Sequence, residues 1–225
     1  MNPSPEWEHV ISAACHLQDI LPDAVLVGGT SAALYAGHRI SLDADHVLTD
    51  LRERFDAVLA QLESVAGWKT ARVTRPVLIL GNLDGIQTGI RQLIRSAPLE
   101  TQTMSFSQGA LTLPTPAEIL RIKAVLILRR NATRDYLDFG ALSAHLGDTQ
   151  ACTALLDLEA LYPQDNDESV LQQLIKQLAA PMPYDLDDID LREYKGLAPA
   201  WQDWSAVTRQ CERMSVALLQ RFAER

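Results

Sequence analysis

The 225-residue chain has few cysteines, no long apolar run and a shortage of basic charge. Its three cysteines, Cys15, Cys152 and Cys211, lie far apart in segments of helical pattern. They form no CxxC pair and no metal-ligand spacing. This excludes a disulfide scaffold or zinc module and predicts small buried hydrophobes in a reduced compartment. No stretch of about 18 apolar residues occurs, as a membrane-spanning helix would need. The opening MNPSPEWEHV has neither a basic nor an apolar leader region, so the expectation is a cytoplasmic protein without a membrane segment. With 47% hydrophobic residues, 11 Gly and 11 Pro, disorder and collagen-like structure are excluded as well. The length suits one large domain, or a core domain with an appendage.

The shortage of bases is uneven. Lys and Arg number 20 against 29 Asp and Glu, a net charge of -9, which on its face argues against a phosphate-handling protein. Residues 136–190, however, hold eleven acids against the single base Lys176, a net of -10. The remaining 170 residues carry 19 bases and 18 acids, or +1. Within 116–135, Arg121, Lys123, Arg129, Arg130 and Arg134 face only Glu118 and Asp135, a local +3 that suits an anion. The same bases also fit a solvated helix face laced with salt bridges.

Ser4-Pro5-Glu6 is a helix start, and a first helix is expected to run to about Ile20. Ala24–Val27 reads as a short buried strand ended by Gly28-Gly29, followed by a short helix from Thr30 to Tyr35. Arg39–Leu48 alternates polar and apolar residues as a half-buried strand does, and a helix from Asp50 to Val65 carries apolar residues at helical spacing. Pro76–Gly81 and Ile86–Ile94 read as strands joined at Asp84-Gly85, with further short strands between Thr101 and Leu113. Thr115-Pro116-Ala117-Glu118 is a second helix start with the spacing of a capping box. Beyond it the pattern is helical, with a polar loop over 162–167. The expected organisation is an α+β fold, with an α/β core over 1–113 and a helical region over 114–225 that completes the site and packs on the core. There are no repeats.

Two features carry chemistry. Gly28-Gly29-Thr30-Ser31 stands at a strand-to-helix turn, where backbone N–H groups, hydroxyls and a helix N-terminus suit a phosphate. Asp43 and Asp45 share one face of the next strand, and a hard cation such as Mg²⁺ takes one or two carboxylates together with substrate phosphates. Each also has a plain reading, as a turn and as a solvated strand face. His46 should point away from Asp45, and no histidine forms a metal cluster. The stretch Tyr194–Trp204 and the last helix, with Val207, Cys211, Met214, Leu218, Leu219 and Phe222, reads as core, although its aromatic residues could stack a base.

The order and separation of these two features resemble the signature of the nucleotidyltransferase superfamily, Gly-Gly/Ser, about ten residues, then Asp-x-Asp. GGTSAALYAGHRISLDADHV is similar to its AbiEii/AbiGii-type toxin branch, and Lys123–Asp138 is similar to that branch's lysine helix and Arg-Asp-x-x-Asp turn. The resemblance covers about residues 24–140. It implies a nucleotidyltransferase-like mixed β-sheet core with flanking helices. It also implies Gly28, Gly29, Thr30 and Ser31 at a nucleoside triphosphate with Arg39 close by, and Mg²⁺ on Asp43 and Asp45. Lys123 would reach phosphates, with Arg129 and Arg134 nearby and Asp135 shaping or assisting the site.

One departure from the superfamily pattern is plain. The strand expected to supply a third carboxylate, Ile86–Ile94, contains no acid, so Gln87 or Thr88 occupies that place or Asp135 substitutes. Three functions follow from these readings. The first is nucleotide transfer from a nucleoside triphosphate to an acceptor hydroxyl, in a toxin acting on tRNA or another RNA with a cognate antitoxin. The second is transfer to a small cationic, aminoglycoside-like molecule, for which the acidic region gives a rationale. The third is a catalytically inactive nucleotide-binding regulatory module.

Overall fold

In a computed structural model the described residues are 4–164 and 168–224; residues 165–167 of the expected polar loop lie outside them. The chain divides into two compact units, 1–31 with 41–115, and 32–40 with 116–225.

The first unit opens with helix α1 (Pro5–Ile20), capped by Ser4, whose side chain accepts from Trp7 N at 3.2 Å. Strand β1 (Val25–Leu26) leads into helix α2 (Gly28–Ala36), and β2 (Asp43–Leu48) into α3 (Leu51–Glu63). Strands β3 (Trp68–Thr74), β4 (Leu78–Leu83) and β5 (Ile86–Gln92) follow, then the hairpin β6 (Thr101–Phe106) and β7 (Gly109–Pro114). The five-stranded sheet has the order β1-β2-β5-β4-β3, and β2 and β5 are its parallel pair.

One face of this sheet is closed. Ala44, His46 and Leu48 of β2, Thr88 and Ile90 of β5, and Ile79 and Leu83 of β4 are all buried. The aliphatic ones pack with Leu17 and Leu21 of the first helical segment and with Leu51, Phe55, Val58 and Leu62 of α3. Burial of these side chains supplies most of the drive, at about 25 cal/mol for each Å² of apolar surface removed from water. The β6–β7 hairpin is fastened to α1 by Gln18, whose amide donates to Thr112 O and accepts from Thr112 N, both at 2.8 Å.

The second unit takes the later part of α2 and the turn after it. It adds α4 (Pro116–Arg130), α5 (Thr133–Leu146), α6 (Asp148–Leu155), α7 (Leu158–Leu161), α8 (Val170–Ala179) and α9 (Trp204–Ala223). Its core joins Tyr136, Phe139, Leu174 and Met214 to Ala32 of α2. Tyr136 and Trp204 meet edge to face with centroids 6.0 Å apart, and Trp201 packs on the same cluster. The tryptophans are half-buried and pack against the core, as their pattern implied, whereas Leu219, expected in the same apolar stripe, is 54% exposed. All three cysteines are buried and free, and no helix among the described residues is long and apolar enough to cross a membrane.

Two expectations about elements need correction, and one strand was not expected at all. The strand placed at Arg39–Leu48 begins only at Asp43, because Ile40 N is drawn onto Lys195 O (2.7 Å) and Arg39 into a buried ion cluster. The strand of Ala24–Val27 shortens to two residues. Strand β3 gives no alternation to read, since every residue after Trp68 is exposed.

His46 is fully buried, its Nδ1 lying 3.1 Å from Ala44 O. Burial outweighs that contact and pulls its pKa from 6.5 down to about 4. A buried histidine that resists protonation stabilises the fold fully above pH 6.5 and loses that contribution as pH falls toward 4. About 3 kcal/mol should disappear across this window. Chemical denaturation between pH 7 and 4 is expected to show a shallower decline for His46→Gln than for the natural chain, whatever the variant's absolute stability.

Candidate active site

The residues marked out by the sequence fall into two groups, one in each unit. In the first unit β2 presents Asp43 and Asp45 on the open face of the sheet, both partly exposed, while Ala44 and His46 point into the core. Ser41 Oγ donates to Asp43 Oδ1 at 2.6 Å. The turn before α2 is held to the same strand. Val27 N donates to Asp45 O at 2.8 Å, and the Thr30 hydroxyl donates to Asp43 O.

Gly28 has φ +76°, a conformation that glycine adopts without strain, and a Cβ there would sit 3.5 Å from Asp45 Cβ. Gly89 of β5 is tighter still, because a Cβ would lie 2.6 Å from Asp45 Oδ1. The small residues thus let the turn and the neighbouring strand come close to the carboxylate. Ser31 Oγ, one turn into α2, is buried with no hydrogen-bond partner among the described residues. A buried hydroxyl without a partner is costly unless something fills that role.

This set fits a hard divalent cation and a phosphate. Two same-face carboxylates offer oxygen ligands, and Mg²⁺ completes its shell with water and phosphate oxygens. Among the described residues no group of three or more His, Cys, Asp or Glu is placed to hold a metal, so a cation here would rest on the pair. The parallel register sets Gln87 opposite Asp43 and Gly89 opposite Asp45. Gln87 is therefore the β5 side chain level with Asp43 on the carboxylate face. Thr88 lies on the buried face and donates to Ala44 O at 3.1 Å.

In the second unit the bases converge on Asp138, the last residue of the Arg-Asp-x-x-Asp run, to which sequence reasoning gave no role of its own. Asp138 is fully buried and takes Lys123 Nζ at 2.7 Å, Arg39 Nε at 2.8 Å, Arg39 Nη2 at 3.1 Å and His38 Nε2 at 2.7 Å. Burial alone would push its carboxyl up, but the charges of Arg39 and Lys123 and the bonds from His38 and Arg39 hold it well below the usual carboxylate range. Lys123 is 2% exposed and also lies 3.5 Å from Asp135, which Arg130 grips with both Nε (3.0 Å) and Nη2 (2.7 Å). Arg39 stacks over Tyr194, 5.7 Å from the ring centroid.

Lys123, Arg39 and Asp135 thus belong to one buried charge network, whereas Arg129 and Arg134 are exposed. The signal that could have exposed Asp138 was its place three residues after Asp135 on α5, under a lysine helix of matching phase. The second unit also contains a groove of about 730 Å³ lined by Asp187, Asp188, Asp190, Glu193 and Asp203 together with Trp204.

No protein-family model matches the chain. Among curated sequences it is 28% identical over 250 residues to the heme uptake protein MmpL11 of Mycobacterium tuberculosis, covering 97% of this chain and 23% of that protein. It is 32% identical over 129 residues to the mycolic acid-containing lipids exporter MmpL11 of Mycolicibacterium smegmatis, covering 56% of this chain and 13% of that protein. The chain therefore spans less than a quarter of the length of these relatives. Among solved structures it is similar to a nucleotidyltransferase candidate from H. pylori, with a TM-score of 0.59 and 16% identity over 99% of this chain and 98% of that one. It is also similar to ANT(2″)-Ia in complex with adenylyl-2″-tobramycin, with a TM-score of 0.50 and 10% identity over 68% and 96% of the two chains. The architecture, a mixed sheet with flanking helices, is a nucleotidyltransferase-like α+β fold.

Removing the carboxylate at the centre of the ion cluster takes the bidentate ion pair from Arg39 and leaves Lys123 with Asp135 at 3.5 Å. Asp138→Ala is expected to cost about 3–5 kcal/mol, as breaking a buried pair does, read as a lowered denaturation midpoint. A loss below 1 kcal/mol would show that the network contributes little to the fold.

Proposed function

We propose that the chain is a Mg²⁺-dependent nucleotidyltransferase that moves a nucleotide from a nucleoside triphosphate to an acceptor hydroxyl. The observation that carries this reading is the pairing of Asp43 and Asp45 on the open face of β2 with the Gly28 turn and the partnerless Ser31 hydroxyl beside them. In the reaction the acceptor hydroxyl gives up its proton to water as its oxygen bonds to the α-phosphorus, the bond from that phosphorus to the bridging oxygen breaks, and pyrophosphate leaves. Mg²⁺, when bound, offsets the charge that gathers on the phosphate oxygens.

The chain's own residues do the positioning. Asp43 and Asp45 hold the cation, with Asp43 oriented by Ser41. Gly28 and Gly29 admit a phosphate to the backbone amides at the start of α2, where the helix end favours negative charge. Ser31 supplies a hydroxyl to the same group. Arg39 and Lys123, bound to Asp138, act as positioning residues that fix the turn between α2 and β2. Arg129 and Arg134 keep the role the resemblance gives them, as cations for a phosphate. By that resemblance the acceptor is tRNA or another RNA and the partner is a cognate antitoxin.

A second reading, a cationic small-molecule acceptor, is favoured by the acidic groove of the second unit. Five carboxylates against the single cation Arg192, which pairs with Asp190, leave the cavity acidic enough to attract a polyamine or an aminoglycoside.

Two experiments test these readings. With bulk RNA and each labelled nucleoside triphosphate, Asp43→Asn and Asp45→Asn are each expected to lower transfer by at least about a hundredfold, the scale on which loss of electrostatic stabilisation acts. Transfer at the natural rate by both variants rules the assignment out. For the second reading, Asp187→Lys combined with Asp188→Lys should weaken tobramycin binding about tenfold or more in calorimetry, given two reversed charges at short range. Unchanged affinity removes the groove from the account.

A further inference from the structure

The open face of the sheet continues past β5 to its far edge. Directly paired residues project to the same side, so the strand registers extend the acidic pair into two rows of side chains. One row runs from Asp43 through Gln87 and Asn82 to Lys69, and the other from Asp45 through Gly89 and Leu80 to Arg72. A Cβ on Gly89 would meet both Asp45 Oδ1 (2.6 Å) and Leu80 Cδ2 (2.9 Å), which places those two side chains on one face. Each row thus begins in a carboxylate on β2, crosses two uncharged positions and ends in an exposed base on β3. The two ends are three strands apart, about 14 Å at the usual spacing.

Residues 69 and 72 would project to opposite sides of a regular strand. A bulge in β3 brings them together. Pairing runs from Thr70 with Gly81 directly to Arg72 with Leu80, so Ala71 is left over and Arg72 turns onto the face that holds Lys69. Without the extra residue Arg72 would stand opposite Ile79, which is fully buried. Re-aiming a side chain in this way is a recurrent use of bulges. Bases on an edge strand also guard it against pairing with other chains, but that role does not require them on one face. Neither Lys69 nor Arg72 is held in an ion pair among the described residues. The acids around the strand have other partners: Glu63 accepts from the Thr70 hydroxyl at 3.0 Å on the covered side, Asp56 takes Arg75, and Asp84 takes His16 at 2.6 Å. Arg91, on the same open face, lies 3.8 Å from Asp45.

Resting on the transferase reading above, we propose that this face is the bed for an RNA acceptor, whose backbone phosphates bond to Lys69 and Arg72 while its terminal hydroxyl lies at the acidic pair. Distance and sign select the acceptor. A small cationic molecule that reacts beside Asp43 and Asp45 ends short of two bases about 14 Å away and carries no charge that suits them. A polynucleotide carries phosphates along its whole length.

The test is binding of a labelled single-stranded RNA oligonucleotide to the full chain, followed by fluorescence anisotropy over a range of salt concentrations. Replacing Lys69 and Arg72 together by alanine is expected to weaken binding about tenfold or more at physiological salt. It should also lower the slope of log affinity against log salt by about 1.4, the share of two phosphate contacts at about 0.7 each. Lys176→Ala, which removes an exposed base of the second unit, should change neither quantity. Lys69 and Arg72 are exposed, so the double variant should melt with the natural chain. In the transfer assay it should raise KM for RNA about tenfold, matching its loss of phosphate contacts, and leave KM for the nucleotide unchanged. An unchanged RNA affinity and salt slope in the double variant, a gain of higher oligomers with RNA affinity intact, or no RNA binding by the natural chain overturns the inference and leaves the transferase reading standing. RNA binding that depends on Lys69 and Arg72 in a chain that transfers no nucleotide overturns that reading instead.

Discussion

Asp138 is the charge around which the interior of the second unit is arranged. A lone carboxylate buried this deeply would cost more than most domains can spare, so its presence demands cations, and α4 and the turn after α2 deliver them. Lys123 comes from a helix at the start of the helical half, while His38 and Arg39 come from a segment almost a hundred residues earlier. The bidentate contact from Arg39 fixes the backbone of that segment in direction as well as in place. Ile40 N on Lys195 O and Ala198 N on His38 O tie the same turn to the later chain. The course of the chain over His38–Ile40 is therefore set by electrostatics and backbone bonds within the second unit.

On β2 a different constraint operates. Period-2 alternation divides the strand between an apolar face, which must be buried, and an acidic face, which must not be buried without a cation. The parallel partner β5 accepts this division by placing Thr88 and Ile90 inward and Gln87, Gly89 and Arg91 outward. Glycine at 28 and 89 removes the side chains that would crowd Asp45 from two directions. The turn, the acidic pair and Arg91 thus follow from one register, and a slip of a single residue would send both carboxylates into the core.

Much of this was readable in the residues. The Ser4 cap, the Gly-Gly turn, the outward pairing of Asp43 with Asp45 and the inward His46 all came from local pattern, because each depends on neighbours within a few positions. The Asp84-Gly85 hairpin and the helix start at Pro116 were visible for the same reason. What stayed hidden depends on distant partners. Lys123 and Arg39 were read as bases for a phosphate, with no sign that Asp138 would meet them, and β3, exposed along almost its whole length, offered no burial alternation. The early end of the predicted strand at Arg39 has the same origin, since nothing local announces that His38 and Arg39 face a buried acid a hundred residues ahead.

The division of the chain into units has a further meaning for how such a molecule can be built or altered. The boundary is crossed at 31/32, at 40/41 and at 115/116, so the helical unit is made of two pieces of chain, the shorter only nine residues long. That short piece is inserted in the sequence between the glycine turn and the acidic strand, and it carries both histidine and arginine partners of Asp138. Cutting the chain at 115 would leave the helical part with its central carboxylate and lysine but without the guanidinium that balances them. The two halves are accordingly not exchangeable modules, and recombination at the evident midpoint of the sequence would break the molecule at a place far from the cut.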